Sequence, residues 1–412
     1  MKRIKLPLLV LFVLFLSSCL KNENLREYTY YTPVYATAQE VQDNVKNTTP
    51  RAIENMGNMI VYHNYILAVE HTKGIHIIDA SSSSSPVKVG FIPIPGNQNM
   101  AVRNNYLYAD CYRDLFIIDI NDLQNVKLAA VKQDVFKSQA TVMGFPVDDN
   151  HIIVDWIKKD TAVTEEYANT PRAQSSGIFF TDMSAAFNGN SSGGGNSTSG
   201  SMARFTLVND YLYAVDNFKL YSFSLANAME PILSNEQSIG GGIETIFPFK
   251  DNLFIGSTTG MMIYNITNPS YPNREGSFSH ATACDPVIAN DKFAFVTLRG
   301  GTRCNDADNQ MDVLNIENVK SPSLIKTYPM TSPHGLSLSG NTLFLCDGDA
   351  GLRVLDATDV NNIKEKKRFK NIGVATDVIT IGNRAYVITQ EEIKIYEFSS
   401  TTDVKLKGNL SK

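Results

Sequence analysis

Two ladders of internal repeats constrain this 412-residue chain more than any other feature. The first is a short strand-like run ending in a polar residue. It reads "GIHIID" at Asp79, "DLFIID" at Asp119, "GIFFTD" at Asp182, "KLYSFS" at Ser224, "GMMIYN" at Asn265, "QMDVLN" at Asn315, "GLRVLD" at Asp356 and "EIKIYE" at Glu397. The second is a turn followed by an apolar or aromatic run. Its turn residues are Asn64, Asn105, Asn150, Asp210, Asp251, Asp291, Asn341 and Asn383. Asn, Asp and Gly suit the φ > 0 positions of tight hairpins. Runs rich in Val, Ile, Tyr and Phe between such turns are strands. The rungs recur about every 41 residues, with room for four antiparallel strands each. That pattern predicts an all-β chain folded as a β-propeller of four-stranded blades. Eight rungs predict eight blades; an irregular third unit leaves seven open.

The N-terminus, "MKRIKLPLLVLFVLFLSSC", pairs a basic start with an apolar run from Leu6 to Leu16. That run is far shorter than the ~20 residues of a membrane span. Residues 1–18 therefore read as a secretory signal. Its end, Leu16-Ser17-Ser18-Cys19, resembles a bacterial lipobox, which implies lipidation of Cys19 and attachment to a membrane through acyl chains. Residues 19–50 read as a lipidated N-terminus and tether, with one short helix near 37–46, and residues 51–412 as the propeller. Removing residues 1–18 takes away three of 37 basic and none of 42 acidic residues, leaving 34 − 42 = −8. The only basic block is "KEKKRFK", so nucleic acid is not expected as a partner.

The units "GIHIIDASSSSSPVKVGFI" and "GMMIYNITNPSYPNREGSF" resemble the LVIVD repeat of bacterial and archaeal cell-surface proteins. The resemblance spans about 53–406. It implies a propeller and, behind a lipoprotein signal, a surface lipoprotein of the Bacteroidetes type. Leu20 follows Cys19, so an Asp retention signal is absent and the expected location is the outer membrane; "KNEN" at 21–24 bears a weak resemblance to acidic surface-export signals, and surface display is favoured slightly over the periplasm.

Two units carry insertions between their second and third strands, at about 157–176 and 299–310. Irregular loops gathered on one face of a repeat protein mark its working face. Cys304 lies in the second insertion and Cys284 at the start of the same blade's innermost strand. Export favours disulfides, so a Cys284–Cys304 bridge is expected, with Cys111 and Cys346 free. The segment "NGNSSGGGNSTSGS", 188–201, reads as a flexible linker.

Aligning innermost strands predicts a polar ring at the channel mouth. With the loops that overhang it, the candidate rim comprises Asn99, Arg204, Glu244, Asp285, Arg299, Arg303, His334, Asp347, Asp349 and Asp377. Asp347 and Asp349 fit the first and third ligands of an EF-hand loop. Gly351, Leu352 and Thr358 break the pattern, so "CDGDAG" reads as a turn, with a bound cation such as calcium the lesser alternative. No HExxH, paired CxxC, Walker loop or credible nucleophile elbow is present; the literal GxSxG at 189–193 lies in low-complexity sequence. These features favour a non-catalytic binding or scaffold module for a protein or glycan partner. The competing reading is an envelope hydrolase or lyase using Glu244, Asp285, Arg299 and His334.

Overall fold

The computed structural model describes residues 25–164, 179–182, 198–199, 201–202, 204–279, 286–300, 308–390 and 392–411. Cys19, Cys284, Asp285, Arg303 and Cys304 lie outside the described residues. The chain divides into two units, 1–34 with 143–145 and 155–188, and the remainder.

The larger unit is an all-β propeller of seven blades, not eight. Blades 1 to 7 span 56–93, 100–132, 205–238, 243–279, 287–329, 336–369 and 375–411. Each is an antiparallel meander from the channel outward. Innermost strands of blades 1 to 7 adjoin in succession. Blade 7 closes on blade 1 by packing: Ile379, Ile388, Ile393 and Ile395 share a core with Met59, Ile66, Ala68 and Ile78. Second and third strands are buried on both faces, as in Leu107–Cys111 or Ile75–Ile78, because a blade lies against each side. Outermost strands alternate toward solvent, as Ile232–Ser238 does.

The two ladders are tied to each other. The backbone N–H just after each polar rung donates to the turn of the same blade: Ala80 to Asn64, Ile120 to Asn105, Leu225 to Asp210, Ile266 to Asp251, Ile316 to Lys292, Ala357 to Asn341 and Phe398 to Asn383. The rung side chain then opens the next turn by accepting from the N–H two residues on, as Asp79 does from Ser81 and Asp119 from Asn121. Glycine recurs at the start of the third strand for a steric reason. Gly74 and Gly260 have φ of 140° and 152°, and a Cβ there would meet the outermost strand's carbonyl oxygen at 2.0 and 2.3 Å.

The Asn150–Asp182 rung is the one that does not make a blade. Ile152–Thr164 and Phe179–Asp182 instead flank Leu25–Ala36 in a separate three-stranded sheet, with Tyr28 opposite Asp182 and Tyr31 opposite Phe179. Within it Thr29 donates to Asp160 at 2.7 Å. Among residues 152–162 of the long strand, Ile152 and Ile153 alone are deeply buried; its polar continuation, "DWIKKDT", lacks the apolar run that two flanking blades require.

The tether reading of 19–50 also needs correction. Leu25–Ala36 is a strand. Ala38–Asp43 is the expected short helix, opened by a Thr37–Glu40 capping box. Val41 and Val45 are buried. Beyond it, Asn47 donates to the Leu123 carbonyl of blade 2, and Thr48 pairs with Phe91 of blade 1. Residues 37–48 are therefore packed against the propeller. The Gly/Ser-rich segment is likewise not wholly a linker. Thr198–Ser199 pairs with Ile60 and Val61 as a fifth strand on the channel side of blade 1. No helix among the described residues is long and apolar enough to cross a membrane.

Candidate functional site at the channel mouth

The starts of the innermost strands and the second-to-third connections lie at the same end of every blade. Three innermost strands are bulged there: between Met56 and Met59, Ile243 and Thr245, and Ala375 and Asp377. A bulge adds a residue and re-aims side chains, a device concentrated beside functional sites.

The buried polar residues ending the second strands hold loops in place. Glu70 accepts from the N–H groups of Glu54 and Asn55 and meets His76 at 2.9 Å. Asp110 accepts from the backbone of Gln98 and Asn99 and from the amides of Asn97 and Asn99. Asp216 takes Phe218, Lys219, Tyr221 and Ser138. Asp347 takes the N–H groups of Thr331 and Ser332 at 2.9 and 2.8 Å and the Arg353 guanidinium at 2.6 Å. Of the EF-hand-like pair, Asp347 is thus fully buried and spoken for, while Asp349 is exposed. That loop is the turn of blade 6.

Four predicted rim residues, Arg204, Glu244, Arg299 and His334, form an arc, and a fifth, Asp377, lies beside Gly335. Arg204, just before the innermost strand of blade 3, reaches across to blade 4. It donates to the carbonyls of Glu244 at 3.2 Å and Ile243 at 3.0 Å, and to Asn217 Oδ1 at 3.1 Å. Burial pulls its guanidinium pKa down, opposed by Glu244, Asp216 and Asp110. Arg299, just past the second strand of blade 5, places Nη1 at 2.9 and 3.0 Å from the two ring nitrogens of His334, just before the innermost strand of blade 6. Burial lowers the Arg299 pKa, opposed by Glu244. Burial, and then Arg299, push His334 down to about 3. His334 is therefore a neutral acceptor at pH 7, and Glu244 is the one carboxylate facing two guanidinium groups. Asp377, in the bulge of blade 7, is 3% exposed. One of its oxygens accepts from the Val378 N–H; the other has no partner among the described residues. Burial pushes its pKa up to about 7. It fits only because residue 335 is glycine: a Cβ there would stand 2.1 Å from Asp377 Oδ1.

Asn99 sits at the predicted place, but its amide is committed to Asp110. The sequence reading has no blade 1 member of the ring. Asn58 fills that position, donating to the Gln98 carbonyl at 2.8 Å. The bulge displaced it from a fixed-offset alignment; its signal was a lone polar residue in "MGNMI". Ser201 was also missed. It is buried, and its Oγ accepts from the Leu336 N–H at the start of blade 6. Cys111 and Cys346 are free and buried.

Comparison with known proteins supports the architecture. Residues 55–92 and 96–130, blades 1 and 2, match the LVIVD repeat. No curated protein matches the chain. Among solved structures, a protein from Lactobacillus plantarum is 9% identical, with a TM-score of 0.54 over 92% of this chain and 94% of that one. The computationally designed Ika8 protein is 8% identical, with a TM-score of 0.52 over 89% and 91%. At these identities the likeness concerns the fold alone.

Proposed function

We propose that this chain is an envelope-anchored binding module whose working face is the channel mouth. Lipidation at Cys19 holds it at the outer membrane, with the propeller displayed at the cell surface. The partner is a protein or glycan presenting an acidic group to the arc of Arg204, Glu244, Arg299 and His334. The observation that carries the reading is the placement of Arg299. Its guanidinium faces a histidine that is neutral at pH 7, and it shares the single carboxylate of Glu244 with Arg204; a fork of donors suits carboxylate or phosphate. A histidine with a pKa of about 3 is a poor general base near neutrality, which favours binding over hydrolysis.

The test is capture from envelope extracts by the mature domain. Replacing Arg299 and Arg303 together by Ala should abolish capture while the thermal midpoint stays nearly unchanged. Full capture by that variant, or unfolding along with the loss, removes the site. Anchoring has its own expected result: Cys19→Ala should move the protein from the membrane to the soluble fraction and abolish acyl labelling. Continued labelling and membrane fractionation would refute lipidation.

A further inference from the structure

The opposite end of the blades carries a recess that the channel reading does not use. It measures about 270 Å³ and lies between blades 1 and 2. Tyr62 and Tyr65, directly paired across the hairpin of blade 1, form one wall. Asn105, Asn121, Asp122 and Gln124 of blade 2 form the other. Tyr62 donates its hydroxyl to Asn105 Oδ1 at 3.1 Å, and Asn105 donates to Asn121 Oδ1 at 2.8 Å.

The repeat explains why the recess opens here. Between blades 2 and 3 the corresponding place holds an ion pair of Arg103 with Asp210, where Arg103 occupies the position of Tyr62 and Asp210 that of Asn105. Between blades 4 and 5, Lys250 and Asp291 also form an ion pair, with Lys250 one residue further into the turn than Arg103. Blade 1 is the blade with tyrosine on both sides of its inner hairpin turn. A neutral aromatic pair and amides thus stand where other seams carry a salt bridge.

We propose that this recess binds a single ring of a neutral sugar. Its lining holds no lysine or arginine, and its histidine, His63, packs edge-on against Tyr62, so an anion would meet no permanent positive charge. Its carboxylate, Asp122, already accepts from the Gln124 N–H. Side-chain amides both donate and accept, which matches the paired demands of hydroxyl groups. The half-buried tyrosine faces supply the flat apolar surface that the C–H face of a sugar needs, with a hydroxyl at the rim. The volume falls just below the ~300–1,000 Å³ of pockets for drug-sized ligands, which suits one sugar ring. The inference is independent of the channel mouth.

The test is saturation-transfer NMR of the mature domain with D-glucose, D-galactose, D-mannose and N-acetyl-D-glucosamine, alongside glucuronate and glucosamine as charged comparators. At least one neutral sugar should show transfer to its ring C–H protons. Tyr65→Ala should weaken it about tenfold or more, equivalent to about 1.4 kcal/mol. The exposed Gln124→Ala should weaken it at an unchanged thermal midpoint, and Arg299→Ala should leave it intact. Silence from all four neutral sugars at about 10 mM would overturn the proposal. So would stronger binding of a charged comparator, or an unchanged signal in both Tyr65→Ala and Gln124→Ala.

Discussion

Replacing Asp347 by Ala should lower the unfolding free energy by about 3 kcal/mol, the cost of leaving two buried N–H groups unsatisfied and weakening a buried ion pair. The Asp347 side chain is fully buried, and its two oxygens serve two backbone N–H groups and the Arg353 guanidinium. Truncation strands the two N–H groups and leaves Arg353 with the weaker contacts to Glu365 at 3.6 Å and the Thr331 hydroxyl at 3.4 Å. The Thr331 and Ser332 N–H groups sit in the connection leading to His334, so the start of blade 6 loosens too. The loss should be the same in calcium and in chelator, because the carboxylate's partners are protein donors. Urea unfolding of wild type and variant in both buffers checks this. A loss under 1 kcal/mol, or one that appears only with calcium, would return the loop to the cation reading.

The second large effect is a dependence on pH carried by Asp377. Its folded pKa of about 7 lies above the ordinary carboxylate value of about 4. Between those values the folded state keeps a proton that the unfolded state releases. Its contribution is therefore fully present below about pH 4 and is lost as pH rises through 7. Asp377→Asn cannot ionise. It should be more stable than wild type at pH 8, by on the order of a few kcal/mol at ~1.4 kcal/mol per pKa unit, and the advantage should shrink toward pH 4. His71 and His334 act with the opposite sign. Burial lowers them to about 4 and about 3. They contribute stability above the ordinary histidine value of about 6.5, and it is lost as pH falls through their folded values. Both are shared by wild type and variant, so the difference between the two curves isolates Asp377. A difference that stays flat from pH 4 to 8 would show that Asp377 ionises normally.

Much of the fold was legible because each rung of the ladders has a local cause. A rung residue such as Asp79 caps its own turn, and a turn such as Tyr62–Tyr65 fixes its own register. Neighbours are harder to read. Asn150 and Asp182 bracket strands as the other rungs do, but strand patterning does not say which strand lies alongside. The distinguishing signal was burial demand: Leu107–Cys111 is buried throughout, whereas charges at Asp155, Lys158, Lys159 and Asp160 leave their strand unable to sit between blades. The channel strand at Thr198–Ser199 had no apolar signal, because its pairing is made by backbone. In the site, charged residues stood out by type and offset. What type could not reveal was division of labour. Asp347 and Glu244 look alike in sequence. The first is consumed by loop N–H groups, and the second faces Arg204 and Arg299.

The claim that the channel mouth is the working face is tested most directly by amide hydrogen exchange of the mature domain, alone and with its captured partner. The account predicts new protection at the starts of the innermost strands around Arg204, Glu244 and His334 and in the connection after Arg299. Protection confined to outermost strands such as Ile232–Ser238 and Ser323–Pro329, with the channel mouth unchanged, would contradict it.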